Sequence, residues 1–284
     1  MPNYVVNVLK AVGADERRMA QIKAFVRSEN EVNGKKVKAA FDFMKIIPMP
    51  ENLNVVDGSD MQSSVALYKR YCRPEIRYDA ILGVDKDTFE KIRMTEEEEL
   101  MICGRMLPPL EYGTDFSRDR EALNKPAHLY ESPDDVFGVT APRLVAGHRY
   151  TMNQLHYGHQ TWYGWCREHW GTKWNSCDSK ELEDGSGWRY ETAWSCSEPV
   201  VRALSVIFPE VSFELWYADE DYGTHSGIVC YVGGEKVDEQ TPATQKDGVE
   251  FSVKLWEGED KTPEEVGFVW DESSGRYKFN EEVV

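Results

Sequence analysis

At 284 residues the chain is long enough to bury most of its apolar surface, as one large domain or two small ones. With 41% hydrophobic and 29% charged residues and no long apolar run, it reads as a globular cytoplasmic protein without a membrane span or secretory leader. The formal net charge of −17 argues against direct nucleic-acid binding, which needs clustered Lys and Arg to meet phosphates. Residues 211–284 hold 18 acidic against 6 basic side chains, so this quarter carries −12 and suits attraction to a basic partner. The six cysteines are scattered through the chain and read as reduced, mostly buried thiols.

In chain order, residues 3–13 read as a strand closing on Gly13. Asp15 then caps a helix whose Met19, Ile22, Phe25 and Val26 share one face. Residues 36–47 alternate and stop at Pro48 and Pro50, which predicts a second strand and a β-α-β start. A turn-rich loop at 48–60 leads to a weaker helix at 62–71. A further helix is expected at 86–106, where the four adjacent glutamates at 96–99 wrap around to face water instead of holding a metal. Residues 107–147, rich in Pro, Asp and Gly, read as a long irregular binding loop or insertion.

The run 157–178, YGHQTWYGWCREHWGTKWNSCD, is the densest part of the chain. Leu155, Trp162, Trp165, Cys166, His169 and Trp170 recur at helical steps up to Gly171, the expected left-handed stop. Strands follow at 172–178 and 188–194 around a turn at 184–187. The donors His156, His159, Cys166, His169 and Cys177 lack the C-x2-C and H-x3-5-H spacings by which structural zinc sites usually pair their ligands. The run is therefore read as packing, with Trp162, Trp165 and Trp170 structural and with no metal or cofactor. Ser197 caps a helix to residue 208 containing Val200, Leu204 and Ile207. Strands at 211–217 and 227–232 and β-hairpins at 249–256 and 267–279 complete an α+β chain with a mainly antiparallel sheet.

Three blocks carry a family resemblance: FDFMKIIPMPENL at 41–53, WYGWCREHWGTKWN at 162–175 and FPEVSFELWYADEDYG at 208–223. In this order they resemble the YubB-like proteins of plasmids and phages. The resemblance covers roughly residues 1–60 and 150–235. It implies a ferredoxin-like domain and a mobile-element setting, and brings no catalytic residues. The expected architecture is a ferredoxin-like core from 1–74 and 149–235 with helices on one face, an insertion at 75–148, and an acidic β-rich extension at 236–284.

No phosphate-binding glycine loop, G-x-S-x-G elbow or H-E-x-x-H helix occurs. Asp219, Glu220 and Asp221, followed by His225, are the best carboxylate cluster; Asp219, Asp221 and His225 suit a divalent cation or acid-base work, and equally a solvated turn. Cys166 with His169 is the one close thiol-imidazole pair. Two functions follow. The favoured one is a non-catalytic interaction protein whose Asp219, Glu220, Asp221, Glu257, Glu259 and Asp260 engage a basic, nucleic-acid-binding host defence protein. The alternative is a metal-dependent hydrolase or nucleic-acid-processing enzyme built on Asp219, Asp221 and His225, with Cys166 and His169 as further candidates.

Overall fold

In the computed structural model, which describes residues 3–32, 35–58, 60–62, 64, 65 and 140–280, strand β1 (Tyr4–Val12) lies in the middle of a sheet. Its YVVNVLKAV sequence is apolar on both faces, and Val5, Val6 and Leu9 are fully buried. The chain divides into two units, residues 1–48 with 166–284, and residues 49–165.

In the first unit, α1 (Glu16–Val26) follows β1 and is capped by Asp15, whose carboxylate accepts the Arg18 N–H at 2.7 Å. After β2 (Ser28–Val32) and β3 (Lys35–Ala39), the second unit intervenes, holding α2 (Thr140–Tyr157) and the first half of α3 (Trp162–His169). The first unit then resumes with β4 (Cys177–Glu181), β5 (Gly187–Ala193), α4 (Glu198–Ile207) and β6 (Ser212–Asp219). The main sheet runs β4-β5-β1-β6-β7-β8, with β7 (Ser226–Val232) and β8 (Glu235–Gln240) added beyond β6. Taken alone, β1-α1-β4-β5-α4-β6 is the ferredoxin-like βαββαβ arrangement, every neighbour antiparallel. Helix α5 (Gln245–Glu257) and the hairpin of β9 (Phe268–Asp271) and β10 (Arg276–Phe279) follow.

Alternation along the strands sorts the core. Leu9, Trp188, Tyr190, Phe213 and Leu215 share the face that meets α1 and α4, whose Ile22, Val26, Val200, Val201 and Leu204 are fully buried. The opposite face presents Trp216, on which Phe251 of α5 stacks with ring centroids 5.9 Å apart. The expected helices thus share one face, and α5 covers the other.

Several expectations are corrected. Residues 36–47 are not a strand of the main sheet: among the described residues β3 pairs with β2 alone, and Asp42 accepts the Met44 N–H at 2.9 Å to cap a 3₁₀ turn at Phe43–Lys45. The alternation there sends Phe41 onto Tyr190, stacked at 4.8 Å, and Phe43 edge-on to Trp170 at 5.8 Å. Residues 140–147 are helical, not irregular, and the tryptophan stripe is split: Gly158, at φ 74, separates α2 from α3, leaving Leu155 62% exposed on a different helix. The strand expected at 172–178 begins only at Cys177. Residues 249–256 are helical, because VEFSVKLW satisfies both periods and a capping box between Thr244 and Asp247 decides for helix. Ser197 does stand at the head of α4, but its hydroxyl bonds the Tyr190 hydroxyl at 2.7 Å instead of the helix.

The second unit is packed around Val55, Val65, Ala146 and Tyr150. The Tyr150 hydroxyl donates to Val56 O at 2.9 Å, and Asn153 Nδ2 to Asn52 O at 2.8 Å. The helix expected at 62–71 is seen at 60–62, 64 and 65. The rest of it, the helix at 86–106 with its glutamates, and residues 107–139 lie outside the described residues. Among the described residues no helix is long and apolar enough to cross a membrane.

Trp170 is buried, and its Nε1 donates to Ile47 O at 2.9 Å. Trp170→Ala should therefore cost about 3–5 kcal/mol in chemical denaturation, from the lost ring and the orphaned carbonyl.

Candidate functional site

The turn from β6 to β7 is built by Asp219. Its N–H donates to His225 O at 2.9 Å, continuing the hairpin ladder, and the next N–H, of Glu220, donates to Tyr4 O at 2.9 Å. Only 8% exposed, the Asp219 carboxylate accepts the Asp221 N–H at 2.8 Å and Asn3 Nδ2 at 3.4 Å. This side chain organises the turn, and Glu220 and Asp221 are left exposed.

Aromatic residues beside the acids join this turn to the end of α5. The Tyr222 hydroxyl donates to Glu257 Oε1 at 2.8 Å, and its ring stacks on Phe268 at 5.6 Å. Burial, and then the Glu257 carboxylate, push the Tyr222 hydroxyl well above the usual phenol range. Trp256 Nε1 reaches the carbonyls of Ala218 and Asp219, both at 3.1 Å. Gly223 lets the turn lie on the helix: its φ is 86°, and a Cβ there would meet Val249 Cγ2 at 2.7 Å. Glu220 and Asp221 are thereby tied to Glu257, which leads into Glu259 and Asp260, and all five are exposed.

The charge of this surface extends along β5. Burial first, then Asp178, with Glu220 adding, hold the Glu191 carboxyl above its ordinary value against the opposing pull of Arg189 and Lys180. Arg189 turns its guanidinium to the last turn of α5, donating to Leu255 O and, at 3.2 Å, to Trp256 O. A cation is thus spent on helix carbonyls while the acids face water.

Beside the turn, a cleft of about 580 Å³ is lined by Tyr217, Thr224, His225, Ser226, Gln245 and Arg276 among others. The His225 ring lies 4.9 Å from that of Tyr217, whose hydroxyl is pushed up to about 12 by burial. The structure brings Asp219, Asp221 and His225 into one turn without coupling their side chains: among the described residues His225 makes a ring contact, and the Asp219 carboxylate is engaged by Asn3 and Asp221. Cys166 and His169 stand apart on α3. Burial pushes the Cys166 thiol up to about 12, the opposite of what a nucleophile or metal thiolate needs. Cys177, on β4, is also raised, by burial and then by Asp178 and Glu191. His156 and His159 belong to the second unit.

Sequence reasoning chose both acidic triplets and missed the residues that join them. The available signal was an aromatic residue set against each acid run, Tyr222 after DED and Trp256 before EGED.

Two expectations follow. Gly223→Ala should lower unfolding stability by about 1–3 kcal/mol through left-handed strain and the Val249 clash. Glu191→Gln should stabilise the fold at neutral pH. A carboxyl raised in the folded state is a liability once ionised, so the gain should fade as pH falls through the folded-state value, which melting curves across the acid range would read.

Residues 169–267 match the family model described as the ferredoxin-like domain in Api92-like protein. Among solved structures, the chain is similar to a protein api92 from Yersinia pseudotuberculosis, with 15% identity and a TM-score of 0.38 over 84% of this chain and 98% of that chain. No curated protein matches.

Proposed function

We propose that this protein is a non-catalytic interaction protein of plasmid or phage origin, of the YubB-like kind, acting in the cytoplasm. Its acidic surface docks onto the nucleic-acid-binding groove of a basic host protein and blocks it, as an inhibitor of a defence factor would. The observation that carries this reading is the joining of the two acidic segments by the Tyr222–Glu257 hydrogen bond, which makes one negative surface from residues about 35 positions apart. The exposure of Glu220, Asp221, Glu257, Glu259 and Asp260 supports it, because like charges held together oppose folding and gain value when a cation covers them. The enzyme alternative draws less support, since Asp219 serves the turn and Cys166 is a buried, protonated thiol.

Association with an arginine-rich peptide, followed by stopped flow, tests the reading. The rate should fall steeply between about 0.05 and 0.5 M salt as the Debye length shrinks from roughly 14 to 4 Å. Glu220→Gln with Asp221→Asn, and Glu257→Gln with Glu259→Gln and Asp260→Asn, should each slow association on the order of tenfold. Exposed substitutions of this kind should shift stability by under about 0.5 kcal/mol. The same peptide, once bound, should no longer retain DNA. Rates indifferent to salt and to both sets of substitutions would leave the acidic surface without a binding role.

A further inference from the structure

Trp194 stands where β5 ends. All nine tryptophans lie within the described residues, and Trp194 is the exposed one, at 54%. Its φ of 72° is in the left-handed region, which a bulky side chain with a Cβ rarely enters. Among the described residues its indole has no hydrogen-bond or ring partner. Exposure of a large ring and left-handed strain both oppose folding, and neither is offset by a hydrogen-bond or ring partner of the indole among the described residues.

Neighbouring hydrogen bonds hold the residue in this conformation. The Trp194 N–H donates to Asn3 O at 2.9 Å, the Ser195 hydroxyl to Gly171 O at 2.8 Å, the Thr192 hydroxyl to Ser195 O at 2.7 Å and the Thr172 hydroxyl to Ala193 O at 2.8 Å. Strain of this kind persists only where the surroundings over-determine it, and it clusters at functional sites. On the other side of β1, the next carbonyl, of Tyr4, accepts the Glu220 N–H at 2.9 Å, and Asn3 Nδ2 reaches Asp219. Trp194 and Glu220 therefore flank successive first residues of β1 across the sheet, their backbones about 10 Å apart at two strand spacings.

We infer that Trp194 is the aromatic anchor of the acidic surface, and that the surface takes an arginine-bearing segment of a basic protein, with the guanidinium laid on the indole and paired with Glu220. Arginine fits better than lysine because its planar fork stacks on an aromatic face while its edge pairs with a carboxylate. Tryptophan anchors of this kind dominate interface energies. The inference rests on the acidic-surface reading and adds the residue that reads the side chain.

The test compares arginine-rich and lysine-rich peptides of equal length and charge by titration calorimetry. Wild-type protein should prefer the arginine peptide. Trp194→Gly, which relieves the left-handed strain, should melt no lower than wild type, bind the arginine peptide at least about tenfold more weakly, and lose the preference over lysine. In wild-type protein the arginine peptide should shift the Trp194 indole N–H resonance, identified by its absence from Trp194→Phe; this readout stands whatever the glycine variant does to folding. Unchanged arginine binding by Trp194→Gly, or an unmoved Trp194 resonance, would overturn the inference. If binding then still depended on salt and on Glu257, Glu259 and Asp260, the acidic-surface reading would survive it. A wild-type protein that binds neither peptide would overturn both.

Discussion

The arrangement of the first unit depends on β1 being paired along both edges. Tyr4 faces Ala193 of β5, and Val5, the next residue along, faces both Thr192 of β5 and Asp219 of β6. A strand so enclosed must be apolar on both faces, which YVVNVLKAV is, and its one buried polar side chain must be satisfied inside. Asn7 meets that demand with Thr192 Oγ1 at 2.8 Å and Val5 O at 2.9 Å. Because the ladder registers both neighbours to the same strand, Trp194 after β5 and Glu220 after β6 are brought to the same end of β1, bonded to Asn3 O and Tyr4 O.

The acidic surface is assembled by aromatic residues, not by the acids themselves. Carboxylates repel, so an acidic patch needs neutral groups to hold it together. Tyr222 does this by donating to Glu257 while packing on Phe268, and Trp256 does it by donating to two carbonyls of the turn. Each ring is half-buried, with an apolar body against the fold and a polar tip on the acidic segment. Asp219 lies inside this scaffold, which separates its role from that of Glu220 and Asp221 despite their adjacency in sequence.

Several ion pairs form elsewhere among the described residues. Lys236 bridges Glu198 at 2.6 Å and Glu239 at 3.2 Å, and Lys23 bridges Glu181 at 2.6 Å. Such exposed or half-exposed pairs contribute modestly to stability. Near residues 220, 221, 257, 259 and 260 a cation within electrostatic reach of Glu257 is Arg189, whose guanidinium donates to helix carbonyls.

The sequence by itself determined what depends on local patterning: the apolar strands β1, β6 and β7, the Asp15 cap of α1, the stop at Gly171, the turn at 184–187, the β9–β10 hairpin and the acidic character of the last quarter. Those features are written in residues a few positions apart, within reach of single turns and strand alternation. It misjudged 36–47 and 249–256 because alternation is shared by strands, by aromatic turns packing two rings inward, and by helices whose apolar residues also fall three and four apart. Which period prevailed was decided by Asp42 capping a 3₁₀ turn in one case and by the Thr244–Asp247 box in the other. Only tertiary structure could decide that Glu257 meets Tyr222, that Asp219 is buried while Glu220 is not, and that Trp194 is exposed in a left-handed conformation. The physical reason is that each of these is set by register across β1 and by the docking of α5, contacts between segments far apart in the chain that no local pattern encodes.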